Sequence, residues 1–335
     1  YYRIEDIIMR FSCERMSAML IRAVRSMLGA FRPSGVDIKK MHKLYCSFEQ
    51  MNASLSSKQV LCEIWAQRVV SGRRNVQVHI YTPIKQKSRK ILLFFHANRW
   101  TGERAEAYRF MCANLAVYNF CRVFSVEYSP TPENSFPKGL DDCYAAAREL
   151  YAHAGQLGVN PADIVLIGDS FGGNLAAAVS LRAQDEGLFA VQKQILLYPV
   201  TNSDHTENAP FPSVLENGTD YLLTSAQICE DMERYKRSDQ DLHNPYFAPL
   251  LAKNLKKQPN TLIITAEYDP LRDEGEAYGQ RLEKAGVKVT VFRMPDVLHG
   301  FFSLEPLYTH VKVAYALIHE FLYEEGVPAH RRLWA

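Results

Sequence analysis

The stretch Gly168-Asp169-Ser170-Phe171-Gly172 places a serine between two glycines, where an apolar run gives way to an alanine-rich one. It fits the pattern G-x-S-x-G, which holds a nucleophilic serine on a sharp turn from strand to helix with its hydroxyl exposed. The glycines permit that turn and a close approach of strand and helix. The alternative is a tight turn of small residues with an idle serine. A dinucleotide-binding fingerprint is excluded, because no G-x-G-x-x-G follows any strand-like run.

A serine hydroxyl is a poor nucleophile at neutral pH, so it needs a base to take its proton and an acid to orient that base. In a fold where helices connect the strands of a sheet, the acid and then the histidine follow the serine along the chain, and each lies in a loop after a strand. Asp269 directly follows the run TLIITAEY, and His299 follows the run VTVFRM. The sequence therefore predicts Ser170 as the nucleophile, Asp269 as the orienting acid and His299 as the base.

Other histidines and acids fit these roles less well. His79 lies inside an alternating strand-like run, whereas His205 and His243 lie in a polar segment where they could at most touch substrate. Asp273 is near Asp269 in the chain but falls inside the predicted helix that follows. Asp269 could instead cap that helix, and one side chain could serve both purposes.

Positioning these side chains requires a frame of strands and helices. Helical segments are predicted over about 103–118, 139–156, 171–185, 272–285 and 307–324, between runs that are typical of strands. Several of those runs are apolar throughout, as in strands covered on both faces. The alternation predicts the α/β class, with a mostly parallel central sheet and helices on both faces. The predicted strands are residues 76–81, 91–95, 123–128, 164–168, 194–200, 261–268 and 289–294.

Two segments break the alternation. Residues 202–256 separate two strands by far more than one connecting helix needs, and their polar and aromatic composition predicts an inserted helical cap. Residues 1–50 carry apolar positions at helical spacing and are predicted to form N-terminal cap helices that pack with this insert. The remaining chain is the predicted core, in a first part over residues 51–201 and a second part over residues 257–335.

Composition narrows the classes of function. The chain has 335 residues, of which 47% are apolar, and a formal net charge of only +2, which gives no electrostatic reason to expect nucleic acid or an acidic membrane as partner. No apolar run reaches about 18 residues, so no membrane span is expected. The seven cysteines include no C-x-x-C pair. They predict reduced thiols in the cytoplasm rather than a disulfide framework or a zinc site.

The chain resembles the hormone-sensitive-lipase-like branch of the α/β-hydrolases. The resemblance spans about residues 90–305 and rests on stretches that include VEYSPTPENSFP (126–137), GDSFGGNLAAA (168–178), TAEYDPLRDEGEAYGQRL (265–282) and HGFFSL (299–304). It implies the α/β-hydrolase fold, a helical cap over the site, and a serine esterase for short acyl esters. It also implies the same Ser-Asp-His set, with no metal or organic cofactor.

One stretch departs from that family. Where the family has His-Gly-Gly-Gly followed by an aromatic residue, this chain has HANRW over residues 96–100. By family position, Asn98 and Arg99 together with Phe171 should supply the backbone N–H groups of an oxyanion hole, and Trp100 should line an apolar acyl pocket. The residues that replace glycine still carry an N–H, so we expect a working oxyanion hole with a narrowed entrance.

The leading hypothesis is a serine carboxylesterase that hydrolyses a small-molecule ester through an acyl-enzyme. Two alternatives stay open. One is a small-molecule receptor without turnover on the same fold, which the altered glycine stretch motivates. The other is an amidase or deacetylase that uses the same three residues. No nucleic-acid partner and no stable membrane insertion are expected, and a homodimer is left open.

Overall fold

The computed structural model describes residues 61–72, 74–97 and 102–323, with the backbone only over residues 102–107. The predicted N-terminal cap helices over residues 1–50 lie outside the described residues. Within them, strands and helices alternate along most of the chain. The strands are β1 Cys62–Ser71, β2 Arg74–Pro83, β3 Ile91–Phe95, β4 Arg122–Glu127, β5 Ile164–Asp169, β6 Lys193–Leu197, β7 Asn260–Tyr268 and β8 Val289–Leu298.

All these strands belong to one eight-stranded sheet, in the order β1-β2-β4-β3-β5-β6-β7-β8. The pairs β1/β2 and β2/β4 are antiparallel, whereas every pair from β4 to β8 is parallel. In the parallel part, the strands end at one edge of the sheet, which is where ligands gather in open α/β sheets. The mostly parallel sheet predicted from the sequence is confirmed.

Strand β1 was not predicted from the sequence. It is an edge strand, and it exposes side chains such as Trp65 and Val70, at 50% and 65% of their surface. Strand periodicity arises when one face is buried and the other is not. Because β1 is exposed along nearly its whole length, its sequence carries neither an alternating nor a continuously apolar pattern.

Helices cover both faces of the sheet, as the sequence predicted. One apolar cluster packs α2, α3 and α6 against one face, and a second packs α1 and α7 against the other. Neighbouring residues of β3 alternate between them, since Leu93 joins the first cluster and Leu92 the second. The helices are α1 Gly102–Asn119, α2 Lys138–Ala152, α3 Phe171–Glu186, α4 Pro212–Glu216, α5 Ser225–Tyr235, α6 Arg272–Lys284 and α7 Thr309–Tyr323.

The segment between β6 and β7 contains the two α-helices α4 and α5 and two short 3-10 helices, Asp239–His243 and Pro249–Leu251. Helix α5 begins with a capping box, in which Thr224 accepts from the backbone N–H of Gln227. Its apolar side is buried in the same cluster as α2 and α3, through Ile228, Met232 and Tyr235. The helical content that the sequence predicted over residues 202–256 is therefore present, while its role as a cap stays a prediction.

Across the part of the chain that the structure describes, none of the helices has the length and the apolar character that crossing a bilayer would take.

Candidate active site

The structure brings the three predicted side chains together at the carboxyl ends of β5, β7 and β8. The Oγ atom of Ser170, directly after β5, lies 2.9 Å from Nε2 of His299. The Nδ1 atom of His299, directly after β8, lies 2.7 Å from Oδ2 of Asp269, directly after β7. A carboxylate only accepts hydrogen bonds, so Nδ1 carries the proton and Nε2 is left to accept the Ser170 O–H. This arrangement can remove a proton from the serine hydroxyl and stabilise the imidazolium that results.

Ser170 sits on a strained turn. Its φ is 53° and its ψ is −118°, which L-residues with a side chain rarely adopt. Flanking backbone hydrogen bonds hold this conformation: the Ser170 N–H donates to the Leu197 carbonyl at 2.8 Å, and the Val200 N–H donates to the Ser170 carbonyl at 3.2 Å. Because Leu197 ends β6 and Val200 follows it by three residues, the adjacent parallel strand fixes the direction in which the serine points.

Two glycines of the motif are required by close contact. A Cβ at Gly168 would lie 2.1 Å from the Gly172 carbonyl oxygen, and a Cβ at Gly172 would lie 2.0 Å from the carbonyl oxygen of Phe95. In both places the obstacle is backbone, which cannot rotate away as a side chain can. Glycine is therefore required in the G-x-S-x-G motif for two reasons. It permits the sharp turn, and it leaves room for the close contacts of Gly168 with Gly172 and of Gly172 with the end of β3.

Gly172→Ala is expected to lower the free energy of unfolding by about 2 kcal/mol or more, because the added methyl overlaps the Phe95 carbonyl. Urea unfolding at neutral pH measures this change. Gly155→Ala is the matched control, since a Cβ there would meet nothing within 4 Å. Equal unfolding midpoints for both variants would contradict the account of the close contact.

The imidazole of His299 is held by its surroundings. The ring of His299 meets the ring of Tyr198 edge-on at a centroid distance of 4.9 Å, and its side chain is 13% exposed. The next residue, Gly300, has a φ of 79°, so the chain turns away immediately after the histidine. Because the ring packs against Tyr198 and the chain turns sharply after it, the imidazole has little freedom to move out of the line between Ser170 and Asp269.

The sequence allowed Asp269 to cap α6 as well as to face the histidine; the N-cap position is instead Leu271, which makes no side-chain cap, and Asp269 lies two residues before it. Its side chain is fully buried, and while Oδ2 faces His299, Oδ1 accepts from the Leu271 N–H at 2.9 Å. The competing acids point elsewhere. Asp273 accepts from the Ser213 N–H at 2.8 Å, and Glu267 accepts from the Asp296 N–H at 2.7 Å.

Helix α4 of the inserted segment is hydrogen-bonded to the loop that carries Asp269, which the sequence did not predict. The Ser213 hydroxyl donates to the Pro270 carbonyl at 2.8 Å, and the Asn217 side-chain amide donates to the Asp269 carbonyl at 3.3 Å. Both side chains are buried. They had no local pattern to reveal them, because their partners lie more than fifty residues away in sequence.

His205, which the sequence placed in a segment that could at most touch substrate, is buried against α6. Its Nε2 lies 2.6 Å from Oε2 of Glu274, whose other oxygen accepts from the Thr201 and Asn202 N–H groups. These bonds tie the start of the inserted segment to the helix that follows Asp269. The pair therefore anchors the start of that segment to α6.

A profile of the α/β-hydrolase fold family matches residues 92–303, which is more than half of the chain and includes Ser170, Asp269 and His299. The chain belongs to the α/β-hydrolases. The predicted membership of the hormone-sensitive-lipase-like branch, the fold and the class of carboxylic ester hydrolase are confirmed.

Individual relatives of this α/β-hydrolase carry esterase names. An arylesterase from Saccharolobus solfataricus is 35% identical over 225 residues, covering 67% of this chain and 72% of that protein. Esterase LipI from Mycobacterium tuberculosis is 35% identical, covering 64% of this chain and 67% of that protein. The crystal structure of a hyperthermophilic esterase from Pyrobaculum calidifontis superposes with a TM-score of 0.75 at 27% identity, covering 91% of this chain and 97% of the other.

Of the predicted oxyanion and pocket residues in this α/β-hydrolase, Asn98, Arg99 and Trp100 lie outside the described residues. Phe171 is described and begins helix α3. Its ring meets the ring of Tyr235 from α5 edge-on at 4.6 Å. The residue after the candidate nucleophile is therefore in direct contact with the inserted segment.

Sequence reasoning missed Asp169, the residue before the candidate nucleophile. Its carboxylate is 4% exposed and accepts from the Ala97 N–H at 3.1 Å and from the Tyr108 hydroxyl at 2.8 Å. Burial raises the pKa of Asp169 to about 6, although the Tyr108 hydrogen bond and the nearby His299 act to lower it. The motif itself could have drawn attention to an acid at this buried position, whereas Tyr108 on α1 carried no local signal.

Asp169→Asn is expected to gain stability relative to the wild type as pH rises from 4.5 to 8. A pKa raised from 3.8 to about 6 means that the folded state binds the proton more tightly than the unfolded chain does. This contribution to stability is complete only below the unfolded pKa, where it is roughly 3 kcal/mol, and it is lost as pH rises through the folded pKa. About 2 kcal/mol of it remains at pH 4.5 and is lost by pH 8. Urea unfolding of both proteins at the two pH values measures the change. A pH-independent difference would contradict it.

Proposed function

We propose that this α/β-hydrolase is a serine carboxylesterase that hydrolyses short-chain acyl esters through an acyl-enzyme. The observation that carries the proposal is the continuous hydrogen-bond chain from Ser170 Oγ through His299 to Asp269, at 2.9 Å and 2.7 Å. The strained turn under Ser170 gives further support, because strain of this kind is maintained at sites that must present a side chain. The esterase names of the relatives agree with it.

In the proposed reaction, Ser170 Oγ attacks the acyl carbonyl while its proton passes to Nε2 of His299. Asp269, which accepts from Nδ1, holds the required tautomer and stabilises the positive imidazolium. The tetrahedral intermediate collapses, His299 returns the proton to the leaving alcohol oxygen, and an ester joins the acyl group to Ser170. Water then attacks this ester with His299 as base, which releases the acid and restores Ser170.

The negative oxygen of the intermediate needs backbone donors. We assign this role to the N–H groups of Phe171, Asn98 and Arg99, by the positions that they occupy in the family pattern. The N–H of Phe171 belongs to the first residue of α3, where amide groups have no partner within the helix and the helix dipole favours negative charge. Loss of one such donor typically costs about 10²–10³ in rate.

The proposed acyl pocket is apolar, with Trp100 and Phe171 on its wall and the insert over residues 202–256 as its cap. Behind Phe171, the rings of Tyr235, Phe247 and Phe136 pack on one another at centroid distances of 5.1–5.6 Å. Such a packed aromatic wall, tied to the insert, supports a pocket of limited depth and hence a preference for short acyl chains.

A series of p-nitrophenyl esters tests the proposed function. We expect kcat/KM to be highest for the acetate or the butyrate and to fall by at least about tenfold for the octanoate. Parallel assays with p-nitroacetanilide test the amidase or deacetylase alternative, which requires comparable turnover of the amide. Ligand binding without release of nitrophenolate from any ester would support the receptor alternative and contradict the proposal.

We also propose that the protein acts in the cytoplasm. The five described cysteines, 62, 112, 121, 143 and 229, are all free thiols, as a reducing compartment favours. The proposed partner is the small ester substrate, with no nucleic acid and no stable membrane insertion, and a homodimer is left open.

A further inference from the structure

The carboxylate of Asp169 forms a junction between three elements, the ends of β3 and β5 and helix α1. One oxygen accepts the Ala97 N–H at 3.1 Å and the other accepts the Tyr108 hydroxyl at 2.8 Å. The Ala97 N–H also lies 3.2 Å from the Tyr108 oxygen, so the three groups form a closed set of contacts. Because Ala97 donates to Asp169 and Tyr108, its N–H is engaged inside the protein and not free to meet a substrate.

A second contact holds the same chain segment one residue earlier. The hydroxyl of Tyr128, just after β4, donates to the His96 carbonyl at 2.7 Å. The imidazole ring of His96 and the ring of Tyr128 also stack, with their centroids 4.5 Å apart and their planes 16° from parallel. Residues 96 and 97 are therefore fixed from both sides, and the next two residues in the chain are the assigned oxyanion donors Asn98 and Arg99.

We propose that Tyr108 and Asp169 are positioning residues, which fix Ala97, at the start of the loop after β3, against the residue that precedes Ser170, and so support the oxyanion donors assigned to the residues that follow Ala97. The inference rests on the proposed function. Asp169 is covalently next to Ser170, so its carboxylate sets the distance between the nucleophile and this loop directly. A displacement of about 1 Å between a reacting atom and its partner can cost 10² in rate, so a remote hydroxyl can matter to catalysis.

The positioning role predicts a specific kinetic signature. The donors act on a negative oxygen that forms only in the tetrahedral intermediate, so their displacement lowers kcat and leaves KM nearly unchanged. If Tyr108 and Asp169 only stabilise the fold, their variants should yield less folded protein, and each folded molecule should keep its normal kcat and KM. The chain offers a control for this comparison outside the inserted segment, since Tyr144 on α2 also donates to a carboxylate, at 2.8 Å to Glu186.

Tyr108→Phe and Tyr144→Phe are compared on p-nitrophenyl butyrate and on n-butylboronic acid, which forms a tetrahedral, negatively charged adduct with a reactive serine. For Tyr108→Phe we expect kcat to fall and the boronate Kd to rise, each by about 10- to 100-fold, with KM within about threefold. Tyr144→Phe should match the wild type. Unchanged kcat and boronate affinity in Tyr108→Phe, or a change in KM alone, would overturn the inference.

A second readout separates this inference from the proposed function. The rate at which a fluorophosphonate labels Ser170 also depends on stabilising a negative oxygen, yet it needs no ester turnover. Slower labelling of Tyr108→Phe in a protein that cleaves no ester would contradict the proposed function and support the positioning role. If Tyr108→Phe does not fold, Asp169→Asn is used in its place in both assays, because asparagine keeps the side-chain volume of Asp169. Wild-type labelling and turnover by Asp169→Asn would then overturn the inference.

Discussion

Replacement of Ser170 by alanine should lower kcat/KM for p-nitrophenyl butyrate by roughly 10³-fold or more, because the attacking atom is removed and only binding and electrostatic stabilisation remain. The fold should survive, since the Ser170 backbone keeps its hydrogen bonds to Leu197, at the end of β6, and to Val200. The release of nitrophenolate, measured at equal concentrations of folded protein, gives the change. His299→Ala should cause a loss of similar size, because the nucleophile and its base act as one unit.

The matched control for the serine is Ser180→Ala. Ser180 lies on the same helix, α3, and its buried hydroxyl donates to Gln194 at 2.8 Å, away from His299. It should keep near wild-type kcat/KM even if the variant melts earlier. Substantial activity in Ser170→Ala, or an equal loss in Ser180→Ala, would mean that another group carries the chemistry.

Asp269→Asn is expected to cost roughly 10³- to 10⁴-fold in kcat. The amide can donate a hydrogen bond to Nδ1, which favours the tautomer with its proton on Nε2, and that tautomer cannot accept from Ser170. The Asn side chain also cannot stabilise the imidazolium by charge. Steady-state kinetics on the butyrate ester measure the loss, and KM should change much less than kcat.

Asp273→Asn and Glu267→Gln are the controls for this prediction. Both acids are close to Asp269 in the chain, but the structure directs them to the Ser213 and Asp296 N–H groups. Each variant should keep most of the activity. Near-full activity in Asp269→Asn, together with a severe loss in one of these two, would show that the orienting acid is misassigned.

The sequence predicted those parts of this site that rest on short-range patterns. The turn at Ser170 could be read from its flanking glycines and the strand before it, and Asp269 and His299 from their places after strands. The carboxyl ends of parallel strands meet at one edge, so three separate loops could be expected at one place. The observed distances of 2.7 Å and 2.9 Å agree with that expectation.

The supporting contacts could not be predicted, because each joins residues that are distant in the chain. Tyr108 reaches Asp169 across 61 residues, and Ser213 reaches Pro270 across 57. No periodicity or motif marks either donor, since hydrogen-bonding partners of this kind are set by how helices dock on the sheet. Strand β1 escaped prediction for a different reason, since nearly complete exposure erases the pattern that burial imposes.

The central claim, that Ser170 is the nucleophile, is tested most directly by reaction with a fluorophosphonate followed by peptide mapping in a mass spectrometer. The account predicts a single adduct on the peptide that contains Ser170, loss of ester hydrolysis in proportion to the labelled fraction, and no adduct in Ser170→Ala. An adduct on another residue, or undiminished ester hydrolysis by protein fully labelled at Ser170, would contradict it.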